Sequence, residues 1–376
     1  MKIGTIREIN KHEYRVGLTP PCVRAYIKRG HEVYIEAGAG VSAGFGNEEY
    51  RRAGAVVEPN RNRIFDECEM IIKVKEPQLE EIPHFHENQV LYTYLHLAAS
   101  KELTLALMDK KIKAVAYETI ETDDGTLPCL VPMSEIAGRL AVQEGAKYLE
   151  KPFGGRGILL GGVPGVRRGK VAILGGGVVG TNACKIAVGI GADVSILDID
   201  ARRLAYLDDI FGSSLNTLYS NDANIEAALK ESDVVIGAVL VHGGKAPKLI
   251  RREHLALMKA GAVIVDVAVD QGGCTETIKP TTHDAPIYTV DGIVHYGVAN
   301  MPGAVALSST IALTSATLPY GLMIAEHGLE QACRDSPPIR KGVNLYRGEC
   351  VYPNVAADLD IDYTPLKSVI ENFKCD

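Results

Sequence analysis

Lys170-Val-Ala-Ile-Leu-Gly175-Gly-Gly177-Val-Val-Gly180, with Ala192-Asp-Val-Ser-Ile-Leu-Asp198 behind it, is the stretch whose reading decides the fold. An apolar strand runs straight into a Gly-x-Gly-x-x-Gly turn, and Val179–Ile190 reads as the helix that follows. In such a unit the first glycine makes the tight turn and the second lets backbone approach a pyrophosphate. The third allows helix to pack closely on strand. A helix starting near Val178 aims its free N–H groups at phosphate. Glycines alone say little in a chain that has 38 of them, because a βα turn without ligand needs them too. Asp198 adds what they lack. It ends a second strand about twenty residues beyond the glycines, where a carboxylate grips an adenosine ribose 2′-OH. Taken alone, Asp198 reads as a capping or loop acid. In series with the turn it predicts a bound dinucleotide, and its charge favours NAD by repelling the 2′-phosphate of NADP. Arg202 and Arg203 follow closely and soften that repulsion.

Outward from this unit, short β-rich runs alternate with helical ones. Strands are predicted near Lys2–Arg7, Glu32–Glu36, Met70–Val74, Val90–Leu95 and Ala114–Tyr117, with helices at Cys22–Arg29 and Leu103–Lys110. Thr19 reads as an N-cap with Pro20 at the first helical position. The second series has strands at Val171–Leu174, Asp193–Leu197, Asn216–Leu218, Val234–Ala238, Ala262–Val267 and Ile287–Thr289. Its helices are Val179–Ile190, Arg202–Phe211, Asn224–Glu231 and Glu253–Lys259. Alternation of this kind gives parallel sheets with helices on both faces. Long helical runs sit at the joins, one from Ser134 to Lys151, ending before Pro152, and one after Pro302-Gly303. The expected fold is α/β, with two doubly wound Rossmann-like domains joined by long helices. The first is discontinuous, residues 1–128 and 306–376, and the second is residues 129–305. A chain of 376 residues is long enough for two such cores.

Composition removes several classes of function. Lys plus Arg number 40 against 47 Asp plus Glu, a net charge of -7, and no basic cluster offers a nucleic-acid surface. Met1-Lys-Ile-Gly-Thr-Ile-Arg-Glu8 has charges where a signal peptide needs an apolar run. Cys22, Cys68, Cys129, Cys184, Cys274, Cys333, Cys350 and Cys375 show no Cys-x-x-Cys spacing. They read as free thiols filling a core in a reducing cytoplasm. His84 and His86 lack a matched carboxylate or cysteine pair, so no metal site is expected. Gly297–Ala325 is free of charge and long enough for a bilayer, yet Asn300, Ser308, Ser309, Thr310, Thr314, Ser315 and Thr317 suit a helix buried in protein or at a subunit contact.

Ligands of doubly wound sheets gather beyond the carboxyl ends of strands. In the first half that rule selects Arg15, in the loop after the first strand region, Lys75, after Met70–Val74, and His96, after Val90–Leu95. Alone, Arg15 and Lys75 read as solvated surface cations and His96 as a buried, satisfied histidine; together they read as an anion pocket. In the second half, Asp266 and Asp270 share parity at a strand end. Asp266 reads as a buried structural acid, and Asp270 as the one that reaches the cleft. Val294–Pro302 is a further exit loop.

Arg15-Val-Gly-Leu-Thr-Pro20, Lys73-Val-Lys75-Glu-Pro77, Tyr94-Leu-His96-Leu, Pro132-Met-Ser134-Glu, the glycine turn, Asp266-Val-Ala-Val-Asp270-Gln-Gly-Gly273 and Asn300-Met-Pro-Gly303 occur in order. With them the chain resembles the alanine dehydrogenase family, related to the alpha subunit of proton-translocating transhydrogenase. The resemblance implies that Arg15 and Lys75 bind a substrate carboxylate, that His96 is the acid–base residue, and that Asp270 completes the site beside the nicotinamide. It implies NAD contacts from Ser134, Gly175, Gly177, Val178, Val179, Gly180, Asp198, Ser220, Leu240, Val267, Asp270, Asn300 and Met301. Arg203 stands where the family commonly has lysine. A homohexamer and reversible conversion of L-alanine to pyruvate and ammonium are implied as well. Two other readings stay open. One is a dehydrogenase for another small amino acid such as glycine, giving glyoxylate; the other is a transhydrogenase-like NAD-binding subunit.

Overall fold

The computed structural model describes residues 1–239 and 246–370. It divides into two compact units, one formed by Met1–Met133 with the chain from Gly303 onward, the other by Ser134–Pro302.

The first six strands belong to the first unit: β1 (Lys2–Thr5), β2 (Glu32–Glu36), β3 (Val56–Glu58), β4 (Met70–Ile72), β5 (Val90–Thr93) and β6 (Lys113–Ala116). The second unit holds β7 (Lys170–Leu174), β8 (Asp193–Asp198), β9 (Asn216–Tyr219), β10 (Val234–Gly237), β11 (Val263–Asp266), β12 (Ile287–Val290) and β13 (Ile293–Tyr296). The tail returns to the first unit with β14 (Val343–Tyr346) and β15 (Glu349–Cys350). The first sheet runs β15-β14-β6-β5-β4-β1-β2-β3 and the second β12-β13-β11-β10-β7-β8-β9. In each, the parallel strands follow the order 3-2-1-4-5-6 of a doubly wound fold. The order reverses between β1 and β4 in one unit and between β7 and β10 in the other.

Parallel sheets covered on both faces need strands apolar on both sides, and every residue of β4, β5, β10 and β11 is buried. The expected fold class holds. The shorter strands differ from expectation. β3 is a three-residue edge strand, too short to show alternation. β13 pairs parallel with β11 and antiparallel with β12, so one expected strand is a hairpin. The tail turns at Arg347 and Gly348, both with positive φ, and β14 closes antiparallel on β6. Glu253–Lys259 was expected as a helix; the segment forms a 3₁₀ turn at Arg252–Leu257. The bridge Ile250↔Thr275 before it and the start of β11 after it leave room only for tight turns.

The long runs at the joins are the helices Val131–Tyr148 and Ala306–His327. The second of these is long and apolar enough, by length and composition, to cross a membrane. Its Ser309, Thr310, Thr314 and Thr317 are buried. Thr317 carbonyl accepts from Tyr92 Oη, and Gly321 lies under Tyr26, so one face packs on the first sheet. Leu307 and Ile311 on the other side are half exposed.

In the second unit the helix Val131–Tyr148 crosses the glycine-turn helix, Val178–Ile190, at Gly138. A Cβ there would stand 2.1 Å from Val179 carbonyl oxygen, backbone that no rotamer can relieve. Gly138→Ala is therefore expected to destabilise the protein by about 2 kcal/mol or more, lowering Tm by roughly 4–8 °C, as thermal unfolding would show.

Candidate active site

In the first unit, the loops after β1, β4 and β5 carry Arg15, Lys75 and His96 respectively, so all three leave the carboxyl edge of one sheet beside its switch point. Arg15 is almost fully buried. Its Nε and Nη2 donate to the two carboxylate oxygens of Glu13 at 2.7 and 2.6 Å, and Nη1 lies 3.0 Å from Met133 Sδ. The resemblance assigns Arg15 to a substrate carboxylate; in the structure one edge of its guanidinium is held by Glu13. Lys75 is half-buried, and among the described residues its Nζ makes no ion pair or hydrogen bond. Its carbonyl accepts from Thr93 Oγ1 at 3.0 Å, which ties it to the end of β5.

His96 sits in the left-handed region, with φ 47° and ψ 36°. Glu118 stabilises that turn by accepting from His96 N at 2.7 Å and Leu95 N at 3.0 Å. The ring stacks on Tyr94, and its Nδ1 lies 3.1 Å from Glu76 Oε2. Packing around the imidazole opposes its charged form. The Glu76 hydrogen bond and the Glu118 charge outweigh that packing, with Lys75 opposing, and the pKa is raised above the ordinary histidine value. The Glu76 carboxyl is held below its usual range: burial works against this, and the His96 hydrogen bond and Lys75 charge overcome it. An imidazole bonded through Nδ1 to a carboxylate keeps Nε2 for proton exchange.

Behind these residues lies a buried charge cluster the sequence reading did not pick out. Lys73 is fully buried, with Nζ 3.0 Å from Glu8 Oε2 and 3.1 Å from Glu81 Oε1. The signal was available: a lysine inside the apolar run Met70–Val74 must be paired if buried. Glu13, Glu76 and Glu118 were missed as well, since nothing in their spacing distinguishes them from surface acids.

In the second unit, Gly175 has φ +103°, and a Cβ on it would stand 2.7 Å from Ala238 carbonyl oxygen. A Cβ on Gly180 would be 1.8 Å from Gly175 carbonyl oxygen, the close helix–strand approach expected of the third glycine. Among the described residues, none beyond its own chain neighbours comes within 4 Å of the place a Gly177 Cβ would take, so the helix start at Val178 has room there for a pyrophosphate. Val178 is exposed and Val179 half-buried. Asp198 ends β8 and accepts from Gly176 N at 2.5 Å and Asp200 N at 2.8 Å. Arg203 binds Gly176 carbonyl and donates to Thr181 Oγ1 at 2.6 Å, so its charge is fixed beside the turn.

Of the other expected cofactor positions, Ser220, Val267, Asp270, Asn300 and Met301 follow strands of the same sheet. Ser220 follows β9 and donates its N–H to Asp198 carbonyl at 2.9 Å. Val267 and Asp270 follow β11, the latter exposed in a 3₁₀ turn at Val269–Gln271. Asn300 and buried Met301 follow β13, with Asn300 carbonyl 2.9 Å from His283 Nε2. Ser134 is half-buried on the helix Val131–Tyr148. Leu240 lies outside the described residues. Asp266 is fully buried and accepts from Ala268 N and Thr275 N; burial pushes its carboxyl up. Two cavities of this unit, about 820 Å³ by Arg251, Arg252 and Asp291 and about 560 Å³ by Lys170, Asp193 and Asn216, lie elsewhere. Lys170, Asp193 and Asn216 open their strands, and ligand chemistry in this fold sits at the other strand end. The cysteines described are free and buried, and burial pushes the thiols of Cys68, Cys129, Cys184, Cys274 and Cys333 up to about 12.

A pyrophosphate-ready turn on one doubly wound unit, in a chain whose other doubly wound unit has cations and a histidine at its switch point, belongs to two-domain dinucleotide-binding α/β proteins. Residues 4–137 match the family model described as alanine dehydrogenase/PNT, N-terminal domain, and residues 141–353 match alanine dehydrogenase/PNT, C-terminal domain. The chain belongs to the alanine dehydrogenase/PNT family. It is 54% identical over 371 residues to the alanine dehydrogenase of Methanococcus maripaludis, covering 98% of this chain and 100% of that protein. It is 54% identical over 373 residues to that of Bacillus subtilis, covering 99% and 98%. A solved L-alanine dehydrogenase superposes with a TM-score of 0.94 at 52% identity, over 96% of this chain and 99% of that one.

Because Glu76 raises the His96 pKa, Glu76→Gln is expected to move the imidazole titration to lower pH in the free protein. An unchanged His96 NMR titration in that variant would remove Glu76 as its partner.

Proposed function

We propose that this chain oxidises L-alanine with NAD and water to pyruvate, ammonium, NADH and a proton, and runs the reverse reaction. The observation that carries the reading is His96 bonded to Glu76 on the sheet edge that also presents Lys75 and Arg15. The first unit is the substrate domain and the second the NAD domain. Lys75 gives the substrate carboxylate a point charge, and Arg15 meets it with the edge of its guanidinium that Glu13 does not hold. Fixing the carboxylate orients Cα–H, and orientation supplies much of the acceleration. When NAD is bound it accepts the hydride that leaves Cα. Water then adds to the resulting iminium carbon while His96 Nε2 takes its proton; the same atom returns a proton to the departing ammonia. Because the His96 pKa is raised, its proton-accepting form is reached at higher pH than in an ordinary histidine, so deamination gains with rising pH and amination with falling pH. Asp270 is the acid at the nicotinamide end. Gly175, Gly177, Val178, Val179 and Gly180 seat the pyrophosphate, and Asp198 accepts from the adenosine ribose. Ser134, Arg203, Ser220, Leu240, Val267, Asn300 and Met301 complete the cofactor contacts.

We further read the protein as a cytoplasmic homohexamer. Buried free thiols fit a reducing compartment, and the half-exposed Leu307 and Ile311 fit a subunit contact.

The test is an amino-acid panel on the purified chain, followed by NADH absorbance. Alanine is expected to be the preferred substrate, and His96→Ala to lose roughly 10²–10⁴ in rate with NAD affinity kept. Equal or faster oxidation of glycine would replace the substrate. No amino-acid oxidation by the chain alone would favour a transhydrogenase-like subunit, and near-normal turnover of His96→Ala would move the acid–base role to Asp270.

Asp198 governs the cofactor by charge. Asp198→Gly is expected to weaken NAD binding and improve relative use of NADP, with Arg203 already placed beside the turn. An unaltered ratio of kcat/KM for the two cofactors would take Asp198 out of the ribose site.

A further inference from the structure

We propose that Glu8 is a positioning residue for Lys75, acting through the backbone of Val74 and Lys75; the inference rests on the reading of Lys75 as a carboxylate ligand. β1 ends at Thr5 and β4 at Ile72. Beyond that point the chain still bonds to β5 on one side, through Lys73 N to Tyr92 carbonyl and Tyr94 N to Val74 carbonyl. On the other side the pairing with β1 ends at Thr5 and Ile72, and among the described residues no strand meets the N–H groups of Val74 and Lys75. Glu8 takes that place. Its Oε1 accepts from Val74 N at 2.6 Å and from Lys75 N at 3.3 Å. Its Oε2 accepts from Lys73 Nζ at 3.0 Å.

A buried charge cluster is weak evidence for stability, since apolar residues of similar volume often serve as well. Apolar residues could not hold two backbone N–H groups at a strand end. Glu81, the second carboxylate on Lys73, accepts from Gln78 N at 2.9 Å and lies 3.6 Å from Arg61 Nη1. The hydrogen bonds and ion pairs of its carboxylate go to Lys73, Gln78 and Arg61, not to the N–H of Val74 or Lys75. The two glutamates therefore share the stabilising role, and only one has the positioning role.

A glutamine at position 8 cannot serve both sides. With its amide oxygen turned to Lys73, its NH₂ faces the Val74 N–H; turned the other way, it faces the ammonium. Its charge effect runs in the opposite sense. Removing a negative group close to Arg15 and Lys75 favours an anionic substrate, so a rise in KM reports position rather than charge.

Glu8→Gln and Glu81→Gln are compared by Tm, by kcat and KM for pyruvate, ammonium and NADH, and by amide exchange at Val74 and Lys75. Glu8→Gln is expected to raise KM for pyruvate by about tenfold or more, leave KM for NADH nearly unchanged, and speed exchange at the two amides. Glu81→Gln is expected to lower Tm comparably without those changes. Should Glu8→Gln fail to fold, Glu8→Asp keeps the charge on Lys73 while its shorter side chain draws away from the amides. Equal KM changes in the Glu8 and Glu81 variants, or unaltered exchange at Val74 and Lys75, would overturn the positioning role. A Lys75→Met variant with unaltered KM for pyruvate would instead bring down the reading of Lys75, and the substrate half of the proposal with it.

Discussion

The first unit is organised around one ammonium group with no access to water. Lys73 cannot be solvated where it stands, so two carboxylates must come to it, and the loops that bear them are fixed as a result. Burial lowers the tendency of Lys73 to hold its proton, and the two glutamates more than restore it, so its pKa is raised. The network continues outward. Glu36, at the end of β2, accepts from Arg7 N and Arg61 Nε, and Arg61 Nη2 donates to Arg7 carbonyl. The carboxyl ends of β1, β2 and β4 and the start of the helix Arg61–Glu67 are thereby tied to one another by charge. Removing one partner of such a group typically costs 3–5 kcal/mol, because the charge left behind has nothing to replace it. A cluster of this kind fixes register at an edge where ladder hydrogen bonds run out, and the switch point is such an edge.

The second unit uses the same economy at its glycine turn with milder groups. Asp198 and Arg203 both bind the Gly176 peptide, one at N–H and the other at the carbonyl. The turn is thus held from both sides by two side chains of opposite charge. Asp266 does the equivalent for the loop after β11: buried, it accepts from Ala268 N and Thr275 N across the turn that carries Asp270. In both units an internal carboxylate shapes the loop, and a neighbouring polar group is left facing outward.

Much of this was legible in the sequence because it is local. The glycine turn, Asp198 and the strand ends bearing Arg15, Lys75 and His96 follow from periodicity and a rule about strand direction. The partners of those residues are mostly not local. Glu8 lies 65 residues from Lys73, Glu76 lies 20 from His96, and Glu118 lies 22 from His96; such pairings become visible only when the strand order is known. Glu13 is two residues from Arg15, yet nothing in that spacing says that both turn inward. β14 reads as an ordinary apolar tail segment until its antiparallel pairing with β6 is seen.

His96 shows why those partners matter more than the residue type. A non-glycine residue with φ 47° is strained, and strain persists where surroundings over-determine it. Here Glu118 holds the backbone and Glu76 holds the ring, so two carboxylates act on one histidine at different atoms. The first aims the side chain off the strand end; the second selects Nδ1 as the bonded nitrogen and leaves Nε2 to exchange protons. Both raise the pKa against the packing that would lower it. A histidine placed there without them would keep its chemistry but lose its direction and its tuned proton affinity. The acids around the candidate catalytic group therefore set its orientation and its proton affinity together.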